Sequence, residues 1–499
     1  RGATAQAVFK LEDNFLDWRL LPTEKQYESI DGKRMLGYVN ELAAISRRYR
    51  DAGHPQFWGR IIGSSADRET AQWLMAKFNQ IGLADVHEDM IDLAPQWFPQ
   101  SWDLTAVSGD KSLTLRSAQP SYTSPGTTGG GLDLEIVYAG LGSEADFAGR
   151  DVRGKAVLLF SQPMPGSWRH TATQEGAIQR AQQKGAAAII CSIQLPRVVG
   201  MTGDAGEGNI RTQLYPTQTT VPTFSMGMKD GMDLRDMIGA AAQPVHLKLK
   251  MDVQQVPGLK SSTVWGKLPG ASDETIYVEA HRDGWFEAAT DNGSGVATML
   301  GIAEYFAKVP QAQRRRTIVF VGTSGHHNSG ANSAAWLAEH QADLFKNAAL
   351  LINCEHTAAA GVELLGEAIR VVAGEAGFLW YGGGNQRPKL QEAAYKAFQQ
   401  FGVPIYAEPE PGTPGGEASR LYQFVPAVQA SNYNMFFHSD AETPATVPAP
   451  GLAASARAYA KVIEEVNKME LKDLQLPAPP TAGSRGAAGT AAAPARGRQ

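Results

Sequence analysis

Cysteine is nearly absent: Cys191 and Cys354 are the only two in 499 residues. Both lie inside apolar, strand-like runs and read as buried free thiols, so no disulfide framework is implied and the redox compartment is left open. No apolar run approaches the roughly 20 residues needed to cross a bilayer, and a soluble chain is expected. Nor is there an excess of positive charge. With a formal charge of -5 and 19% charged residues, the chain lacks the electrostatic footprint of a nucleic-acid or anionic-membrane partner. An initial methionine is missing too. Arg1 suits a mature product after signal-peptide removal and equally suits a trimmed chain, and a periplasmic or secreted location is the expectation.

What is present is too long for one ordinary core, since cores stop growing near roughly 250–300 residues. Two folded units and a tail are expected. Amphipathic spacing predicts helices over 34–50 and 67–81, the second stopped by Gly82, and a strand over 84–92. From about Ala118 the texture changes to Gly-rich breaks and short strands. After Val256 strand and helix alternate: strands over 275–279, 317–321, 349–353 and 425–430, helices over 295–307, 331–340, 390–401 and 452–467. Such alternation specifies an α/β fold with a mostly parallel, mixed central sheet flanked by helices, and its sites form outside the carboxyl ends of the strands. The expected division is 1–117 as the first part of this domain, 118–255 as a small β-rich insertion, 256–473 as the second part carrying the site, and 474–499 as a disordered Pro/Ala/Gly tail.

The chemistry-bearing residues fall at those strand ends. His281 follows the apolar strand Ile276–Ala280, and Asp283 two residues on can accept the other ring N–H, the carboxylate a metal-bound histidine usually needs. Asp291 precedes Asn292-Gly293-Ser294-Gly295, where a single carboxylate can bridge two metal ions. His326 and His327 occupy the loop Ser324–Gly330, and Glu355 and His438 end Ile352-Asn353-Cys354-Glu355 and Phe437-His438.

This ordered series resembles the co-catalytic di-zinc exopeptidase family, which holds leucyl aminopeptidases, glutamate carboxypeptidase II, glutaminyl cyclase and the non-enzymatic transferrin receptor. Segments 142–160 and 181–193 resemble the protease-associated domain often inserted in such enzymes. The resemblance makes His281 a ligand of one metal, Asp291 the bridging carboxylate, His438 a ligand of the second metal, and Glu355 the counterpart of a ligand that is usually aspartate. His326 stands where the family places its general-base glutamate, and His327 where it places a metal-binding glutamate. Two carboxylates are thereby lost, which leaves the expected site about two charge units more positive. His327 remains a competent zinc ligand, and His326 can serve as a base titrating near roughly pH 6.5.

One or two zinc ions and a small peptide or amide substrate are thus implied, with no nucleic acid, no membrane span and a homodimer left open. The implied activity is metal-dependent hydrolysis of peptide or amide bonds. The alternative is a catalytically silent family member used for binding, because loss of the base glutamate also marks such proteins. Around this set, Tyr433 can donate to a developing oxyanion or simply pack, and Trp285 and Phe286 can wall a pocket. Glu417 lies in the stretch that lines the specificity side of related enzymes. His356 is an alternative ligand, and Arg314-Arg315-Arg316 reads as a solvated turn.

Overall fold

Strands form where apolar residues alternate or run continuously, and the helices between them are closed by local caps. The structure, a computed structural model, describes residues 20–164, 169–174, 176–215, 219–328, 333–374, 377–381, 387–403, 405–407 and 414–474. Helix α1 (Gly32–Asp51) starts at Asp31, whose carboxylate accepts the amides of Lys33 and Arg34, and ends with Arg48 and Arg50 in its last turn, where cations suit the dipole. Helix α2 (Ser65–Ile81) is capped by Ser64 and stops at Gly82, which takes the left-handed φ of 89° that a Cβ would disfavour.

The main sheet has eight strands: β1 (Ala84–Asp92), β2 (Lys260–Leu268), β3 (Thr275–His281), β4 (Thr317–Thr323), β5 (Ala348–Asn353), β6 (Gly377–Tyr381), β7 (Ile405–Ala407) and β8 (Ala427–Ser431), in the order β1-β2-β4-β3-β5-β8-β6-β7. The four central strands are parallel, whereas β1, β2 and β6 run antiparallel to their inner neighbours. The sheet is therefore mixed, and the carboxyl ends of β3, β4, β5 and β8 share one edge.

Alternation then sorts side chains between two faces. Ile276, Val278, Ile318 and Phe320 pack against α1, α2, α3 (Gly295–Ala307), α4 (Pro388–Gln400) and α5 (Ala449–Val466), while Tyr277, Val321 and Leu351 pack with Leu337, Phe345 and Leu421 on the other side. Each such fully buried side chain contributes about 1.5–3 kcal/mol. The run Arg314-Arg315-Arg316 is not a solvated turn. Arg314 and Arg316 are buried, and their guanidinium groups donate to carbonyls of Phe306 and Val309 in and just after the last turn of α3, and of Val466 and Met469 at and just after the end of α5. These are helix-end carbonyls that lack intrahelical donors. Among the described residues no helix is long and apolar enough to cross a membrane.

A second eight-stranded sheet lies between β1 and β2 in the chain, and its boundary differs from the expected 117/118. Its long strand Gln96–Ser108 pairs antiparallel with His246–Val256 along its length, so the unit starts near Gln96 rather than Ala118. The register shifts between Asp252 and Val253, leaving Gln100 unpaired. That bulge puts Trp97 on the same buried side as Trp102, Leu104 and Ala106 and breaks the period-2 signal in the sequence. At the other end of the chain Leu474 is buried in the short helix Leu471–Leu474. The rest of the expected tail, 475–499, lies outside the described residues.

Within this second unit His170 is 4% exposed and its Nδ1 meets the Ser161 hydroxyl. Burial pushes its pKa down to about 4, below the roughly 6.5 of an unfolded histidine. The folded state therefore refuses a proton that the unfolded state takes. Stability present above pH 6.5 should fall as pH drops towards 4, by about 3 kcal/mol from this residue. Denaturant titrations of His170→Gln are expected to show a correspondingly shallower loss between pH 7 and 4. An unchanged slope would show that other groups carry the acid sensitivity.

Candidate metal centre

Three side chains hold the loops at the carboxyl edge of the sheet. Asp283 accepts the amides of Gly325 and His326 at 2.9 and 3.2 Å through Oδ1, and that of His327 at 3.1 Å through Oδ2. Asn292 Oδ1 accepts the amides of Gly295 and His356, both at 3.1 Å, while its amide donates to the Cys354 carbonyl at 2.9 Å. Glu442 accepts from Thr290 and Asp291 at 2.9 and 2.6 Å through one oxygen and from His438 at 3.0 Å through the other. It ties the Asp291 turn to the His438 loop. His356 and His438 adopt positive φ values of 50° and 59°, which non-glycine residues take only when their surroundings impose it.

Held in this way, four imidazole nitrogens surround one carboxylate. His281 Nε2 and His356 Nε2 lie 3.1 and 3.3 Å from Asp291 Oδ1, and His327 Nε2 and His438 Nε2 lie 3.0 and 2.9 Å from Oδ2. Co-ligands about 2.1 Å from one tetrahedral ion would themselves be roughly 3.4 Å apart. In the tautomer in which His327 Nδ1 donates to Asp283 Oδ2, 3.2 Å away, its Nε2 presents a lone pair to a carboxylate lone pair. That arrangement is repulsive without a cation between them. On the other side, His281 Nε2, His356 Nε2 and Asp291 Oδ1 make no hydrogen bond despite being buried, as expected of atoms aimed at a common point. The donors therefore fit a pair of divalent ions sharing Asp291.

His281, Asp291, His327 and His438 are brought together as the sequence implied. Asp283 faces His281 Nδ1, the ring nitrogen that spacing suggested, within ion-pair range. It stands 3.6 Å from that nitrogen and also braces His327 and its loop. Glu355 belongs to a donor group with His281, His326 and Glu417 that could hold a metal ion, and to none with Asp291: Oε2 accepts from Asn353 at 2.9 Å, and Oε1 lies 3.6 and 3.8 Å from His356 and His326. Tyr433 contributes packing, its ring centroid 5.3 Å from His356 and 5.6 Å from that of Phe437.

Glu417 was placed on the specificity side without a role, and the structure gives it one. Its carboxylate accepts from His326 Nδ1 at 3.0 Å, which leaves His326 Nε2 towards Glu355. Burial works to lower the His326 pKa, but Glu417 and then Glu355 outweigh it and raise the value to about 9, so the pair does not titrate near 6.5 as an isolated histidine would. Burial likewise opposes ionisation of Asp291, yet His327 and His356 hold its carboxyl well below the usual range. Burial, aided by His327 and His326, outweighs Asp291 and pushes His438 down to about 4. Glu417 in the cluster returns one of the two negative charges that the histidine exchanges remove.

The second sheet closes one side. Gln213 donates its amide to the His438 carbonyl at 2.7 Å, and Arg211 Nε donates to Asp440 at 3.0 Å. Tyr215 then stands over the ligands, its ring centroid 4.9 Å from His438 and 6.3 Å from His327, beside Trp285. Burial and the surrounding carboxylates hold its hydroxyl protonated. A separate cleft of about 420 Å³ lined by His54, Phe57, Phe98 and Gln254 shares no residue with the centre.

The region that supplies these ligands matches one known family. Residues 263–462 match the model of peptidase family M28. Aminopeptidase YwaD of Bacillus subtilis (strain 168) is 27% identical over 266 residues, a stretch that is 52% of this chain and 50% of that relative. The chain thus aligns with about half of that protein's length. Among solved structures, a peptidase M28 precursor from Shewanella amazonensis SB2B superposes with a TM-score of 0.64 at 18% identity, over 90% of this chain and all of the other (100%). BSAP, a zinc aminopeptidase from Bacillus subtilis, gives 0.59 at 17% identity, over 92% and 99%. At such identities the likeness establishes the fold alone and leaves the chemistry of the matched region to its own residues.

Proposed function

We propose that the protein is a zinc-dependent exopeptidase of the aminopeptidase kind, acting on a small peptide or aminoacyl amide. The facing of nitrogen and oxygen lone pairs across Asp291 carries this reading, because a shared pair of cations resolves it. The aminopeptidase relatives support the reaction class, and an imidazole-rich donor set suits zinc better than magnesium or calcium. Zinc held there supplies carbonyl polarisation and a water that ionises near neutral pH.

The chain's own residues do the rest. His281 would hold one ion and His327 with His438 the other, each against Asp291. His326, fixed at Nδ1 by Glu417, carries the proton at Nε2 and delivers it to the departing amine. Tyr215, Trp285, Tyr433 and Phe437 wall the ligands from water. The His326 side chain is 14% exposed, whereas those of His281, His327, His356 and His438 are 0–6% exposed. Entry past one exposed imidazole favours the end of a substrate chain over its middle.

Zinc analysis and assays on aminoacyl anilides, dipeptides and N-blocked amides test this together. Two zinc ions per chain are expected, with turnover abolished by chelation and restored by zinc. Two ions without turnover on any of these substrates, combined with a gain of activity in His326→Glu, would replace the proposal with a binding protein on the same scaffold.

A further inference from the structure

We propose that His356 is itself a metal ligand, completing with His281 and Asp291 one of the two ion positions, so that each ion sits between two imidazoles and a shared carboxylate. This rests on the metal-dependent reading above and assigns a residue that the motif series places only beside the expected ligand Glu355.

Three observations converge. The first is distance: His356 Nε2 lies 3.3 Å from Asp291 Oδ1, His281 Nε2 lies 3.1 Å from the same oxygen, and the three form one mutually close donor group. The second is hydrogen bonding. His356 is 5% exposed and neither ring nitrogen makes a hydrogen bond, a costly state for a buried imidazole unless a ligand takes up the lone pair. The third is aim. The residue sits at φ 50°, its amide donating to Asn292 and its carbonyl accepting from Asn432 at 2.9 Å. Tyr433 and Phe437 clasp the ring edge-on at centroid distances of 5.3 and 4.5 Å. Strain, backbone anchors and packing all turn this ring towards Asp291.

Glu355 is occupied otherwise. One oxygen accepts from Asn353 at 2.9 Å, and the other faces the space between His326 and His356. The neutral ligand His356 and the neutral ligand His327 then stand on either side of Asp291 as equivalents. Such a set discriminates further against hard cations such as magnesium and manganese.

Zinc titration against a chromophoric chelator, with the visible spectrum of the cobalt-loaded protein as a second readout, tests the assignment. The unaltered protein should bind two ions. In His356→Ala one should stay tight and the other weaken by more than about 100-fold, beyond the 10–100-fold of an indirect support residue, with loss of one component of the cobalt spectrum. Glu355→Gln should weaken binding less than about tenfold. His356→Gln keeps bulk and polarity should alanine impair folding, which circular dichroism reports, and it should show the same selective loss. Two ions of undiminished affinity in both His356 variants, or loss of an ion in Glu355→Gln alone, would return the position to Glu355 and leave the hydrolase reading intact. Absence of zinc from the unaltered protein would instead remove the hydrolase reading itself.

Discussion

Asp291→Ala is expected to empty both metal positions at once, taking zinc from two per chain to almost none and abolishing hydrolysis. One oxygen of Asp291 faces His281 and His356 and the other faces His327 and His438, at 2.9–3.3 Å. Without it the imidazoles that would hold each dication would lose the carboxylate placed between them, and with it the negative charge that offsets two cations. Asp291→Asn keeps the shape and removes the charge, so a loss nearly as severe would assign the effect to electrostatics. His327→Ala or His438→Ala should release only one ion. Calorimetry gives a second measure: zinc at 100 times its dissociation constant stabilises a folded state by about 2.7 kcal/mol, and this zinc-dependent rise in Tm should vanish in Asp291→Ala. A variant that keeps one tight zinc would show that the positions do not share the carboxylate.

The ligands nearest Asp291 were legible because each ends an apolar strand or opens the turn after one, and strand–helix alternation places all such ends on one edge. His281 closes β3, His327 follows β4 and His438 follows β8, so the order of motifs along the chain already implied their meeting. Helix α3 and strand β1 have the bounds that periodicity predicts, since nothing interrupts their patterns. Strand β2 went unread because Ser261, Ser262 and Thr263 are polar yet buried, and Gln96–Ser108 because a bulge resets its alternation. The supports of the site were illegible for another reason. Glu417, Glu442 and Tyr215 act through contacts with residues 91, 151 and 223 positions away, and no local pattern encodes a partner at that distance. Glu417 shows the consequence most clearly. The family resemblance exposed the exchange of two glutamates for histidines, and only the fold shows that a carboxylate returns beside His326 from another loop.

That return determines what His326 should do. His326→Ala is expected to lower kcat by about 10²–10⁴-fold, the usual worth of a positioned proton carrier, while both zinc ions stay bound. The contrast with Asp291 separates proton handling from metal retention. Glu417 raises the His326 pKa to about 9, and dications nearby draw it down from there. The ring thus keeps its proton below that value and loses it as pH rises, and kcat should decline along the same limb. Removing the negative charge in Glu417→Gln lowers the pKa, so the decline should move to lower pH with KM little changed, and Glu417→Asp should restore part of the shift. A Glu417 that merely packed would leave the limb where it was. Zinc lost from His326→Ala in step with activity would make His326 a ligand. A limb unmoved in Glu417→Gln, with activity intact, would mean that the proton reaches the leaving amine from elsewhere, and the His326–Glu417 pair would then be a structural replacement for the missing glutamates rather than a chemical one.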